Sequence, residues 1–388
     1  MATRIERFSA AIAQAGIEAA LLMHPVAIHY LAGTGQPCNL LVVPGSPPTL
    51  LVRRFGDLAR QETHVERVVD GAGFGAVARE LERLDVGNGA LGMELDVIPA
   101  ALYRKAGAAL GREIVDCSPQ LLALRARKDP DEIQAVRDAA ALFEAVHAAM
   151  TEHARPGVAE HELAGEVARA LRRAGHEGIV AHRRWDSRLQ PEGSIASGEN
   201  LSTISGGPIT VSGVGLSPGM PIGASRRRLR AGDLVNIDLG LNLDGYHADM
   251  ARTYAVETMP DGVPRLARAV REIEDACLAA VRPGVTAEAV YDAGVAAARE
   301  LGVDEWFQGY GDLRGPYVGH AIGLEMDEPP VLGPGVNTVL EQGMVLAIEP
   351  KLISPAFGAV NLEDDVVVTA DGCDLLGTVP REVFVAGG

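Results

Sequence analysis

Two aspartates in one short stretch, Asp238 and Asp249, set the chemical question for this chain. They flank Leu241-Asn242-Leu243-Asp244-Gly245. The segments on either side read as strands, because Val235, Ile237 and Leu239 alternate with Asn236 and Asp238, and the Asp-Gly pair signals a hairpin. If Leu243 and Asp244 form the two-residue loop, Asp238 stands directly opposite Asp249, with Cβ atoms about 5 Å apart on one half-buried face. Centring the loop on Asp244-Gly245 makes the carboxylates diagonal neighbours instead. Two carboxylates this close repel, so burying both calls for a proton or a cation between them, and a metal ion is the better guess. The alternative is a surface hairpin with two solvated aspartates.

Three further segments offer donor atoms. His320 lies in Tyr317-Val318-Gly319-His320-Ala321-Ile322-Gly323-Leu324, between glycines that would let a backbone approach a ligand closely. Glu349 ends the apolar run Met344-Val345-Leu346-Ala347-Ile348, and Glu363 precedes Asp364, Asp365 and Val366-Val367-Val368. Each signal is weak alone, since a single histidine is more often a core residue and a glutamate at a strand end is usually solvated.

These segments need a scaffold, and the chain predicts two domains. Residues 3–16 form an amphipathic helical pattern. Strands follow at 19–23, 40–43 and 50–52, the last two joined through Pro44-Gly45-Ser46-Pro47-Pro48, and helical patterns at about 75–84 and 98–110 bracket a short strand at 91–94. This alternation describes a small α/β domain, residues 1–122. The second domain, 123–388, opens on Asp129-Pro130-Asp131-Glu132. There Asp129 can cap one long helix running to about Thr151, and the acids complement its dipole. An internal echo follows: Arg155-Pro156-Gly157-Val158 recurs as Arg282-Pro283-Gly284-Val285, and a helix ending at Gly175 recurs as one ending at Gly302, both 127 residues apart. Two related halves account for the shared register, and a site between them would draw residues from both. A glycine-, serine- and proline-rich stretch then leads to Arg226, Arg227, Arg228 and Arg230, either a solvated basic loop or a source of one arginine for an anionic substrate group.

Composition narrows the classes. With 388 residues, 47% hydrophobic and 22% charged, the chain can bury a sizeable core. Its net charge of −17 offers no basic surplus for nucleic acid. No apolar run reaches membrane-span length, and the N-terminus, with Ile5, Phe8 and Ile12 at helical spacing, is unlike a signal peptide, so a cytoplasmic protein is expected. Cys38, Cys117, Cys277 and Cys373 are too scattered for a zinc ribbon or a disulfide framework.

The order Asp238, Asp249, His320, Glu349, Glu363, in the contexts IDLG, YHADMART, GHAIGL, AIEP and NLEDDVVV, resembles the pita-bread metallopeptidase family of prolidase, aminopeptidase P and methionine aminopeptidase over roughly residues 120–388. The first 120 residues and the junction LRARKDPDEIQAVRDAA resemble the smaller domain shared by prolidases, aminopeptidase P and creatinase. The resemblance implies an α+β fold of two pseudo-two-fold halves. It also implies two divalent metal ions, with Asp249 and Glu363 bridging, Asp238 on one ion, and His320 with Glu349 on the other. Four carboxylates and one imidazole suit Mn²⁺ or Co²⁺ first, with Zn²⁺ or Fe²⁺ also possible partners. Two such ions could share a hydroxide that attacks an amide carbonyl, with Glu349 helping to deprotonate the water. Creatinase works without metal, and retention of all five ligand types argues against that branch.

Two departures bear on the substrate. Family members usually carry a histidine after SGxN and another in HExP. Here Leu201 to Ser217 contains none, and the second position is Asp327 of Asp327-Glu328-Pro329. Asp327 could replace a histidine as proton carrier, bind a substrate ammonium, or be a structural substitution. His247, on the strand of Asp249, is a candidate catalytic residue in a supporting position, and His182 reads as a loop or packing residue with the same weight as a functional one. The leading expectation is a hydrolase of small peptide-like amides, of the Xaa-Pro dipeptidase or aminopeptidase P type and a homodimer, whose N-terminal domain restricts it to short substrates. The alternatives are a non-peptidase hydrolase or lyase of a small amidine, lactam or modified amino acid, and a catalytically silent binding protein.

Overall fold

The structure, a computed structural model, describes residues 3–187, 190–206 and 211–387. The chain divides by contact into Met1–Arg125 with Arg183–Trp185, and Ala126–His182 with Asp186–Gly388. The division falls at the end of helix Ser118–Ala126 rather than after residue 122.

In the N-terminal unit, helix Arg4–Gln14 buries Ile5, Phe8 and Ile12 on one face. It starts at a capping box in which Thr3 Oγ1 accepts from the Glu6 N–H and the Glu6 carboxylate accepts from the Thr3 N–H. Six strands form one mixed sheet in the order Arg67–Asp70, Thr49–Val52, Cys38–Val42, Ala19–Leu22, Leu91–Met93, Ile114–Asp116. Ala19–Leu22 is buried at every position, as the continuous apolar run of a central strand requires.

The C-terminal unit carries two helix pairs, Phe143–His153 with Glu160–Ala174 and Val263–Ala280 with Ala287–Glu300. Their Arg-Pro-Gly turns are tied down in the same way. The Gly157 N–H donates to Leu229 O at 2.8 Å and the Leu229 N–H to Val158 O at 2.9 Å; the Gly284 N–H donates to Leu340 O at 2.9 Å and the Leu340 N–H to Val285 O at 2.7 Å. Gly157 and Gly284 have φ of 88° and 86°, the left-handed region that selects glycine. The echo in the sequence is thus a repeated turn docked on its own half. The single long helix expected to Thr151 is instead two, Pro130–Ala141 and Phe143–His153. At Leu142 the N–H bonds to Ala139 O, tightening the turn and breaking the run.

One sheet runs Phe384–Ala386, Tyr246–Val256, Leu234–Leu243, Ser194–Ser197. A second runs Glu328–Val331, Gly319–Ala321, Val345–Ile348, Asp364–Val368, Cys373–Leu375, and Lys351–Ser354 pairs separately with Gly358–Asn361. The hairpin bearing Asp238 and Asp249 turns on Asp244-Gly245, whose φ values of 51° and 77° are those of a type I′ turn. Gly240 therefore faces Asp249 and Ala251 faces Asp238, so the register that opposes the two aspartates is not adopted and they are diagonal neighbours. The registers differ by an even step, which leaves both carboxylates on one face. That face is covered too. Asn236 is fully buried, with Nδ2 donating to Arg252 O at 3.2 Å, so the strand is not half-exposed as its alternation suggests.

The cover is the 361–365 segment, and Arg252 and Thr253 hold it in place. The buried Arg252 guanidinium donates to Glu363 O at 2.7 Å, Asp364 Oδ1 at 2.8 Å and Val379 O at 2.9 Å. Thr253 Oγ1 donates to Asn361 O at 3.1 Å and accepts from the Asn361 N–H at 2.9 Å. Arg252→Met leaves Asp364 with only Arg381, 3.8 Å away, and strands the Glu363 and Val379 carbonyls, and should destabilise the protein by about 3 kcal/mol in chemical denaturation. Gly245→Val forces a β-branched residue into the left-handed region and should cost about 1–2 kcal/mol by the same measurement; unchanged midpoints would contradict both assignments.

Candidate metal centre

Asp249 projects from the second strand of the hairpin, and its backbone N–H donates to Asp365 Oδ2 at 2.9 Å. Its Oδ2 lies 3.6 Å from His320 Nε2. His320 sits on the short strand Gly319–Ala321 and directs its other ring nitrogen, Nδ1, to Ala321 O at 3.1 Å, which leaves Nε2 for the site. Glu363 enters beside the hairpin through a bridge to Ala251, its N–H donating to Ala251 O at 3.2 Å. Donor atoms of Asp249, His320 and Glu363 come within 4.8 Å of one another. Glu349 follows strand Val345–Ile348 and places Oε1 3.8 Å from His320 Nε2. Asp238 completes the expected set, with Oδ2 accepting from Asn361 Nδ2 at 3.2 Å. Gly319 and Gly323 are small because protein packs on them: a Cβ at the first would collide with Ala347 O, and at the second with the Lys128 side chain.

Burial dominates the electrostatics. It pushes Asp238 up to about 7, with Lys351 opposing and Asp249 adding to the rise. Burial also raises Asp249, and it raises Glu363 well above the usual carboxylate range with Asp249 contributing. Asp365 is raised for the same two reasons. Burial alone would favour a neutral His320 ring, but Asp249, Asp327 and Glu349 carry it up to about 10. The negative field that favours a proton on this ring also favours a metal ion beside it. Asp249 Oδ1 and both Glu363 carboxylate oxygens are buried with no hydrogen-bond partner. Such oxygens are costly unless a cation takes them, so the donor set fits a divalent ion.

Lys351 was not apparent as a site residue. Its ammonium contacts Glu349 Oε2 and lies 3.9 Å from Asp238 Oδ2, with the side chain 3% exposed. The signal available in the sequence is spacing, because two positions along an extended chain return to the same side.

Asp327 keeps 40% of its side chain exposed and stands between two imidazoles, Oδ1 lying 3.5 Å from His320 Nε2 and Oδ2 3.3 Å from His182 Nδ1. His182 is therefore at the centre, its side chain 8% exposed and neither ring nitrogen hydrogen-bonded. His247 is differently placed from what a catalytic reading needs. Its Nε2 meets the Ala181 N–H at 3.0 Å and Asn242 Nδ2 at 2.8 Å, and Nδ1 meets Gly323 O at 3.2 Å. Burial lowers it to about 4, so it is a neutral positioning residue for the 181 and 323 segments. Three of the four arginines have protein partners: Arg226 donates to Leu216 O, Arg227 to Asp233 and Glu199, and Arg228 to Gly157 O. Of the segment Leu201 to Ser217, residues 207–210 lie outside the described residues.

Residues 134–370 match Metallopeptidase family M24, and residues 4–127 match the Creatinase/Prolidase N-terminal domain. The chain is 30% identical to "Probable dipeptidase PepE" of Mycobacterium tuberculosis, covering 99% of this chain and 96% of that one. It is 27% identical to an Xaa-Pro dipeptidase of Pyrococcus furiosus, covering 99% and 100%. Among solved structures, an Xaa-Pro dipeptidase from Bacillus anthracis superposes with a TM-score of 0.81 at 26% identity, covering 98% of this chain and 99% of the other. An X-Pro aminopeptidase from Thermotoga maritima does so with 0.80 at 25%, covering 99% and 100%. The fold is thus pita-bread α+β with a creatinase-like N-terminal domain, and the chain belongs to metallopeptidase family M24.

Proposed function

We propose that the chain is a divalent-metal-dependent dipeptidase, with Xaa-Pro dipeptides as its first substrate class, whose metal is held by Asp249, His320, Glu363 and Glu349. The observation that carries this reading is the set of buried carboxylate oxygens on Asp249 and Glu363 that no protein group satisfies. The dipeptidase names carried by relatives matched over nearly the whole chain support the substrate class. A bound Mn²⁺ or Co²⁺ would supply Lewis acidity and a lowered water pKa.

The residues around it supply the proton chemistry. Glu349 accepts a proton from the attacking water, its Oε1 standing beside His320. Asp327, partly open to solvent and in contact range of His182, takes over the proton that Glu349 removed from water and passes it to the leaving nitrogen, in place of the histidines absent from the usual positions. His247 holds the segment that presents His182, through the Ala181 N–H. No helix among the described residues is long and apolar enough to cross a membrane. The same reading extends to a cytoplasmic homodimer, on the family resemblance, and sedimentation of the purified protein as a monomer would count against the dimer.

Chelation should abolish hydrolysis of Xaa-Pro dipeptides and added Mn²⁺ or Co²⁺ should restore it; turnover only of amidines or lactams in the same assay would favour the non-peptidase alternative. Asp327→Ala and His182→Ala should each lower kcat by about 10²–10⁴-fold, the range of a lost general acid, while leaving metal content unchanged. Undiminished turnover in both variants would reduce the pair to packing.

A further inference from the structure

We infer that Lys351 is a built-in cation standing where the Asp238 side of a dinuclear centre would take a metal, so that this chain's centre holds one ion rather than two. The inference rests on the metal-dependent reading above and sharpens it.

The geometry is specific to that side of the cluster. Lys351 opens strand Lys351–Ser354 and pairs directly across from Asn361, so the two side chains are cross-strand neighbours. Both address Asp238: the Lys351 ammonium lies 3.9 Å from Oδ2, and Asn361 Nδ2 donates to the same oxygen at 3.2 Å. The ammonium also contacts Glu349 Oε2. The residue is 2% exposed, and its backbone N–H is fixed on Gln308 Oε1 at 3.2 Å. Lys351 therefore bridges the two carboxylates that do not belong to the Asp249, His320 and Glu363 group.

A second, independent observation points the same way. Of the four carboxylates at the centre, Asp249 Oδ1 and both Glu363 oxygens are enclosed without a partner, whereas Asp238 Oδ2 accepts from Asn361 Nδ2 and Glu349 Oε2 from the Lys351 ammonium. The cluster thus has unsatisfied donors at one pole and an internal ammonium at the other. An ammonium has no lone pair to offer a metal, and a dication sharing the oxygens it binds would be repelled by it at contact distance in a buried, weakly screened site. Asp238 becomes a counter-ion to Lys351 instead of a ligand, while Glu349 keeps Oε1 for the metal side.

The test is metal stoichiometry on the intact chain, with Mn²⁺ or Co²⁺ in excess followed by removal of free ion. The native protein should retain one ion per chain and, with Mn²⁺, give an uncoupled paramagnetic spectrum. Lys351→Gly and Lys351→Met should admit a second ion and show exchange coupling, whereas Lys351→Arg, which keeps the charge, should remain at one. Two ions in the native protein with a coupled spectrum would overturn the inference while leaving a metal-dependent hydrolase intact. Uncharged variants that fold and still take only one ion would overturn it as well. No retained ion with either metal would overturn both readings. The native spectrum decides by itself if the uncharged variants fail to fold.

Discussion

Everything in the C-terminal unit answers to one constraint: several carboxylates are buried within reach of one another, and buried like charge persists only where positive charge meets it. The chain supplies part of that charge itself. Lys351 sits against Glu349 and Asp238, and the His320 ring is held ready to carry a proton by Asp249, Asp327 and Glu349. The remaining deficit, concentrated on Asp249 and Glu363, defines where a divalent ion belongs. In the proposed reading the ion's position follows from unsatisfied oxygens on two segments rather than from any single residue.

Holding repelling groups together requires a frame that cannot relax away from them. Arg252 does this from behind, binding the Glu363 carbonyl and the Asp364 carboxylate at once, and Thr253 locks Asn361 beside it. These bonds grip the backbone of the segment and leave the Glu363 carboxylate unengaged. Lys128 and Glu328 do similar work on the opposite approach: the buried pair, 3.0 Å apart, lets Glu328 Oε1 accept from the Leu324 and Glu325 N–H groups and shape the loop that presents Asp327. Such pairs contribute less to net stability than to fixing one arrangement of the chain around the site.

How much of this was legible in the sequence follows from which interactions are local. The five candidate donors stood out because each lies in or beside a strand with its own pattern, Asp238, Asp249 and His320 within strands and Glu349 and Glu363 next to them, and the halves because a turn needing a left-handed glycine recurs at Gly157 and Gly284. The hairpin register was ambiguous because Asp244 can serve as either loop residue until the backbone shows positive φ at both Asp244 and Gly245. Lys351, His182 and Arg252 were hidden for a different reason. Most of their partners lie far along the chain, 113 residues away for Lys351 and Asp238 and 145 for His182 and Asp327, and no periodicity encodes such pairs; only the contact of Lys351 with Glu349, two positions away, leaves a local trace. Leu142 broke the long helix through a tightened turn inside a sequence that remains helical on both sides.

The same distinction bears on how the substrate is handled. Absence of histidine from Leu201 to Ser217 and at position 327 first suggests a centre stripped of its proton-transfer groups. The structure places a ring beside Asp327 from elsewhere, since His182 comes from a segment anchored by His247 and stands 3.3 Å from it. A carboxylate next to an imidazole can move a proton as a histidine at either usual position would, but it carries negative charge into the mouth of the site. That charge favours a substrate whose free ammonium lies close to the scissile amide, which is the geometry of any bond after an N-terminal residue, a dipeptide's included, and is lost as the N-terminal side of a peptide lengthens. An aspartate in this position is therefore better matched to cleavage after an N-terminal residue than to cleavage inside a longer chain.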